Sequence, residues 1–208
     1  MKTIICNIPM KEKIYKCYLI DSIKKPEGNF EVAYPINVEL AKSLKKNEKF
    51  NVLLLKSIGG SNRAAKNIQI LKDELEYINK AKDLNADITY EEIVVPFSGQ
   101  RNVWAEIFRR IIDKIKKDSD IYADVTYGTK LLPMIVFCAL NFAEKYLDVE
   151  VTKILYGMVE FGKKGIIIPG SGAIFDITML YCLNSLTNNI DCDSPETAIK
   201  IIDDFLAL

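Results

Sequence analysis

Apolar runs of strand length alternate with segments of helical spacing along most of this chain. Residues 3–8 form a β-branched apolar run stopped by Pro9, the pattern of a buried strand. Residues 14–20 and 30–33 read as two extended pieces around the turn signal Lys25-Pro26-Glu27-Gly28-Asn29, which predicts a hairpin. Residues 37–45 carry Val38, Ala41 and Leu44 at helical spacing. A strand follows at 50–55, then a turn signal through Ser57, Ile58, Gly59 and Gly60. A long helix is predicted at 62–82, with Ile68, Leu71, Leu75 and Ile78 on one face.

The alternation continues. A strand at 88–95 stops at Pro96, and a helix at 102–117 bears a wide apolar stripe that includes Val103, Trp104, Ile107 and Ile111. A strand at 121–125 leads into a helix at 130–146 that is apolar nearly all round and is therefore expected deep in the core. Strands are expected at 149–156 and 165–168, and closing helices at 174–188 and 195–206. Strands alternating with helices imply an α/β chain: a Rossmann-like three-layer fold with a mainly parallel central sheet, ending in a short helical tail. Such sheets bind ligands beyond the carboxyl ends of their strands, near the switch in strand order. That directs attention to the loops after the first strand and after the strand at 121–125.

Composition narrows the chemistry. The 208 residues are 49% hydrophobic, which suits one sizeable core and excludes a disordered chain. There is no histidine, so histidine triads, histidine-ligated zinc or haem and imidazole catalysis are excluded. Cys6, Cys17, Cys138, Cys182 and Cys192 are odd in number, widely spaced and free of any CxxC pair, the pattern of buried free thiols rather than a disulfide framework or a zinc site. No metal and no cofactor is expected. The longest apolar run, 131–143, is too short for a bilayer and is broken by Pro133 and Asn141. The N-terminus lacks the length and cleavage site of a signal peptide, so a cytoplasmic protein is expected.

Lys plus Arg is 28 and Asp plus Glu is 28, a net charge of zero that argues against a long nucleic acid partner. The balance is uneven: residues 1–60 hold eleven lysines against six acids, and residues 171–208 hold Lys200 against six acids. A local basic pocket for a short anionic ligand is compatible with this. The first strand ends without glycine, and neither GxGxxG nor GxxxxGK[ST] occurs, so NAD and ATP enzymes have little support. Gly59-Gly60-Ser61 precedes a helix and offers a weak phosphate site, though a plain turn accounts for it.

The informative segment is Asp124-Val125-Thr126-Tyr127-Gly128-Thr129-Lys130-Leu131-Leu132-Pro133, where a central strand meets a helix. Gly128 permits a tight turn, Thr126 and Thr129 offer hydroxyls, the helix start offers free N–H groups, and Lys130 adds positive charge. Together these suit an anion. Asp124 is placed to hold the turn by accepting backbone N–H groups. A capped strand-to-helix turn with a surface lysine is the alternative.

The string Asp-x-Thr-x-x-x-Lys, with Gly128 inside it and Pro133 beyond, resembles the signature of CRISPR-associated Rossmann-fold (CARF) domains, closest to a branch reading DxTHGxRxxP. VTKILYGMVE at 151–160 resembles the strand of that branch ending in Tyr-Gly, and IFDITML at 174–180 resembles its downstream Asp-(Ile/Leu)-Thr segment. The resemblance spans most of residues 1–185, leaving 186–208 as a helical tail. Tyr127 stands where histidine is frequent and Lys130 where arginine is frequent, and lysine lacks the arginine fork.

The resemblance implies a homodimer that binds a cyclic oligoadenylate, tetra- or hexa-adenylate, across its two-fold axis in type III CRISPR antiviral defence. Carried over residue by residue, Thr126, Tyr127, Gly128, Thr129 and Lys130 contact phosphate or ribose. Ile8, Pro9 and Met10 line the floor, and Lys11 and Lys13 add charge. Ser98, Gln100 and Arg101 are candidates for adenine or ribose, and Tyr156 and Gly157 lie near the pocket. Tyr156 as plain core packing is an equal reading.

Family members commonly carry a HEPN ribonuclease with the motif RxxxxH, which a chain without histidine cannot contain. The stretch after Asp176 is too short for a winged-helix or nuclease domain, which suggests a stand-alone sensor with a tail whose Ala198, Ile201, Ile202, Phe205 and Leu206 form a face to bury. Two readings remain. The first is a metal-independent ring nuclease, in which the ribose 2′-OH attacks the adjacent phosphate, Lys130 stabilises charge and Thr129 or Tyr127 positions the reacting groups. The second is a non-catalytic sensor acting on a separate effector.

Overall fold

The computed structural model describes residues 1–11, 14–25, 28–58, 63–163, 166–168 and 170–207. The first apolar run forms β1 (Lys2–Ile8), in which every residue is buried. The hairpin is β2 (Tyr18–Lys25) and β3 (Gly28–Val32), antiparallel, with a register shift between Ile20 and Lys24. Its first strand begins later than the pattern predicts, because Tyr15 and Lys16 are exposed, and burial alternates only from Tyr18 onward. The turn residues Pro26 and Glu27 lie outside the described residues.

Next come α1 (Pro35–Ser43), β4 (Lys49–Ile58), α2 (Arg63–Ala81), β5 (Asp87–Pro96), α3 (Arg101–Lys114), β6 (Asp120–Asp124), α4 (Leu132–Tyr146) and β7 (Glu150–Met158). The chain then adds β8 (Ala173–Asp176), α5 (Thr178–Asn189) and α6 (Pro195–Leu206). Pro35 and Pro195 open their helices, where a missing N–H costs nothing. Ser194 caps α6 by accepting the Thr197 N–H.

The main sheet has the order β5-β4-β1-β6-β7-β8, parallel except for β8. The chain is α/β, with helices on both faces of the sheet. Alternation along the central strands builds both cores. Ile4, Cys6 and Ile8 of β1 join Phe50, Val52 and Leu54 of β4 in a cluster with α1, α2 and the hairpin. Ile5, Leu53 and Leu55 point the other way, into a cluster with α3, α4 and Tyr181 of α5. Each such fully buried Ile or Leu contributes ~1.5–3 kcal/mol relative to exposure. The chain runs outward from β1 through β4 to β5, then returns through α3 to β6 on the other side of β1. The switch point therefore lies between β1 and β6.

Four expectations need correction. The strand expected at 165–168 is an isolated bridge between Phe161 and Ile167, and Gly165 lies outside the described residues. The helix expected from 174 begins at Thr178, because Ala173–Asp176 pairs with β7 and Asp176 accepts both the N–H and the hydroxyl of Thr178. Finally, α4 is buried on one face only. Leu132, Val136, Ala139, Leu140 and Ala143 pack inward, while Met134 (65% exposed), Cys138, Phe142 and Tyr146 (60%) face out. An outer-layer helix has the sheet on one side alone, so uniform apolarity cannot bury all of it. Exposure of Cys138 also departs from the expectation of buried thiols; Cys6 and Cys17 follow it. Among the described residues no helix is long and apolar enough to cross a membrane.

Candidate functional site

Asp124 ends β6 at the switch point and is fully buried. Its carboxylate accepts the Ile36 N–H at 3.1 Å and the Thr126 N–H at 3.0 Å. Burial pushes its pKa above the ordinary carboxylate range, and the hydrogen bonding from Thr126 and Ile36 works against that shift. Asp124 thus ties the end of β6 to the start of α1. Thr126 Oγ1 in turn accepts the Gly157 N–H at 2.7 Å, joining the turn to β7.

Tyr127 points back into the molecule. Its hydroxyl donates to the Ala33 carbonyl at 2.8 Å, and its ring meets Tyr34 edge-on at 5.6 Å between centroids. Burial raises its phenol well above the usual range, so it stays protonated at any working pH. Gly128 follows with φ of 95°, a left-handed conformation suited to glycine. A Cβ there would sit 3.1 Å from Leu132 and 3.6 Å from Asn7. Beneath this turn Asn7 of β1 is fully buried, and neither of its amide atoms has a hydrogen-bond partner.

Two cavities flank the turn. The first, about 420 Å³, is lined by Pro9, Met10 and Lys11 after β1, by Thr126, Tyr127 and Gly128 after β6, and by Tyr156, Gly157 and Met158 of β7. Ile14, Tyr15, Cys17 and Tyr18 before the hairpin, and Val159, Phe161 and Ile167 after β7, complete it. Among its described lining residues Lys11 carries the only positive charge; its Nζ lies 5.7 Å from the centre of the Phe161 ring. Burial lifts the Cys17 thiol to about 11, so it is a neutral wall rather than a nucleophile at neutral pH. The second cavity, about 350 Å³, is lined by Phe97, Ser98, Trp104, Thr129, Leu131 and their neighbours. The Trp104 indole N–H donates to the Ser98 carbonyl at 2.9 Å, which fixes the ring in that wall.

The structure therefore gathers Pro9, Met10, Lys11, Thr126, Tyr127, Gly128, Tyr156 and Gly157 around one cavity. It places Ser98 and Thr129 at the other. Ile8 is buried in the core below the floor. Lys130, Gln100 and Arg101 are exposed and line neither cavity. Lys13 and the Gly59-Gly60-Ser61 turn lie outside the described residues. The expected boundary at 185 falls within α5.

Sequence reasoning missed Asn7 of β1, and also Ile14, Tyr15, Cys17, Tyr18 and Phe161, which reach the site through the approach to the hairpin and the loop after β7. Close backbone approaches are the signal that was available. A Cβ on Gly157 would meet Tyr18 Oη at 2.5 Å, and one on Gly172 would meet the Cys17 carbonyl at 2.0 Å. Among the described residues no group of three or more His, Cys, Asp or Glu side chains is placed to hold a metal ion. An apolar cavity with one cation among its described residues, Tyr edges and backbone at the switch point suits a ligand with flat, ring-bearing parts.

No known protein family matches this chain, and no curated protein sequence does either.

Proposed function

We propose that this protein is a cytoplasmic CARF-type receptor that binds a cyclic oligoadenylate, tetra- or hexa-adenylate, as a homodimer, and that it opens the ring without a metal. The observation that supports this best is the gathering of Thr126, Tyr127 and Gly128, the loop after β1 and the Tyr156-Gly157 pair around one cavity at the switch point. The turn and the Tyr156-Gly157 pair belong to two of the three segments through which the chain resembles that family; the third, 174–180, lies outside the cavity lining. The outward apolar face of α4 (Met134, Phe142, Tyr146) and exposed Leu180 of α5 supply a surface for a second copy.

In the cleavage step the ribose 2′-oxygen bonds to the adjacent phosphorus and the phosphorus–5′-oxygen bond breaks. The 2′-proton leaves to solvent and the departing 5′-oxygen takes one from solvent. The products are a 2′,3′-cyclic phosphate and a 5′-hydroxyl. The protein's part is to hold the 2′-oxygen in line and to stabilise charge on phosphate. Lys11 at the cavity wall and the exposed Lys130, two residues beyond Gly128, supply that charge, with Thr129 of the second cavity for positioning. Turnover that rests on positioning and electrostatics alone is slow.

A non-catalytic sensor is the second reading, and particular contacts favour it. The hydroxyls of Thr126 and Tyr127 are engaged inside the protomer, and Lys130 lies outside both cavities. Lys11→Ala and Lys130→Ala separate the two readings. Under the nuclease reading Lys130→Ala keeps ring binding and loses cleavage; unchanged cleavage removes Lys130 from the reaction.

A further inference from the structure

We infer that Asn67, far from the cavity turn in sequence and seated on α2, is the positioning residue that sets the shape of the cavity floor. The inference rests on the reading that the cavity beside Gly128 is the ligand site. Asn67 is fully buried. Its Nδ2 donates to two carbonyls of the loop after β1, that of Pro9 at 2.8 Å and that of Lys11 at 3.0 Å. The β1 ladder ends at Ile8 opposite Lys56, and among the described residues the next main-chain rung is Cys17 N–H to the Val32 carbonyl. The Asn67 amide falls between those two anchors and holds the loop from behind.

What it holds are lining residues: Pro9, Met10 and Lys11, the last with the cavity's positive charge. Asn67 also reaches the opposite wall. Its own main-chain carbonyl accepts the Tyr34 hydroxyl at 2.8 Å, and the Tyr34 ring packs on Tyr127 of the turn. Both walls of the cavity are thus referenced to one turn of α2. The Tyr34 bond uses the backbone of Asn67, so changing the side chain releases the floor and leaves the far wall in place. The Oδ1 atom has no partner, so the amide's role in this position is that of a donor.

The experiment is amide hydrogen exchange of the whole chain in wild type, Asn67→Ala and Asn67→Leu, with binding of cyclic tetra- and hexa-adenylate measured on the same proteins. Exchange of residues 10, 11 and 14–16 is expected to rise at least about tenfold in both variants, with β1 and α2 unchanged. Ring binding is expected to weaken by about tenfold or more. Leucine fills the same space without the donors, so normal exchange of the loop in Asn67→Leu would show that packing holds the floor and would overturn the inference. Altered loop exchange with unaltered ring binding would overturn it too. If both variants fail to fold, the wild-type side-chain amide protons of Asn67 decide by NMR: slow exchange is expected, and rapid exchange contradicts it. A wild type that binds neither ring defeats the ligand reading, while loop exchange still decides whether Asn67 sets the floor.

Discussion

Thr126 accepts the Gly157 N–H on its hydroxyl at 2.7 Å while its own N–H donates to Asp124 at 3.0 Å. Asp176 and Thr178 repeat the device: the Thr178 N–H donates to Asp176 at 3.0 Å, and the Thr178 hydroxyl accepts the Ile154 N–H at 2.8 Å. Two Asp-x-Thr turns therefore grip one strand, β7. Thr126→Val leaves the buried Gly157 N–H without a partner and is expected to cost about 1–3 kcal/mol in urea unfolding. Thr126→Ser keeps the acceptor and should cost markedly less. A near-wild-type Thr126→Val beside a destabilised Thr126→Ser would show that the methyl group, not the hydroxyl, matters.

Gly157→Ala tests how tightly the hairpin closes the cavity. The added carbon would lie 2.4 Å from Pro35 Cγ and 2.5 Å from Tyr18 Oη, so α1 or the hairpin must shift. Overpacking of this kind costs about 1–3 kcal/mol. Thermal unfolding should show that loss; a wild-type midpoint would mean that Tyr18 moves freely.

Glu74 of α2 predicts a pH dependence of stability. It is buried and accepts the Ala33 N–H at 2.8 Å and the Asn37 amide at 2.9 Å. Desolvation raises its pKa from 4.5 to about 7, against those bonds and the positive charge of Lys16. The folded state therefore holds a proton that the unfolded state releases, and stability falls as pH rises from about 4.5 to about 7. The loss is on the order of 2–4 kcal/mol. Asp124, also raised by burial, acts in the same direction. Glu74→Gln should flatten the profile in that window; a profile as steep as wild type would assign the proton elsewhere.

Charge at the cavity is tested by Lys11→Ala, which is expected to weaken binding of cyclic tetra-adenylate more than Arg101→Ala. Arg101 is exposed and lines neither cavity. Affinity titrations at low and moderate salt make the comparison. The reverse ranking would move the ligand toward α3.

The outward face of α4 is tested by Met134→Glu. Sizing with light scattering should show a dimer for wild type and a monomer for the variant, since a charge at a buried interface must be desolvated. A wild-type monomer at all concentrations contradicts the dimer.

The alternation of strands and helices was legible because the cores are built by period: β1 and β4 send alternate residues to opposite faces, and α2 buries Ile68, Leu71, Leu75 and Ile78. Legibility ended where tertiary contact overrides local pattern. Ile174 and Phe175 are apolar and continuous with α5 in sequence, yet pairing with β7 makes them a strand. Asn67 and Glu74 read as ordinary polar positions of an amphipathic helix. Their partners, the loop after β1 and the start of α1, lie far away in sequence. Asp124–Lys130 was legible as a strand-to-helix turn, but Tyr127 and Thr126 turn their hydroxyls into the protein.

The central claim is tested most directly by incubating the purified protein with cyclic tetra-adenylate and, separately, cyclic hexa-adenylate in EDTA, then resolving bound ligand and products by chromatography. The account predicts binding of one ring at micromolar concentration and slow appearance of linear products ending in 2′,3′-cyclic phosphate. A bound ring that stays intact for hours contradicts the nuclease and leaves the sensor. Neither binding nor cleavage of either ring contradicts the account as a whole.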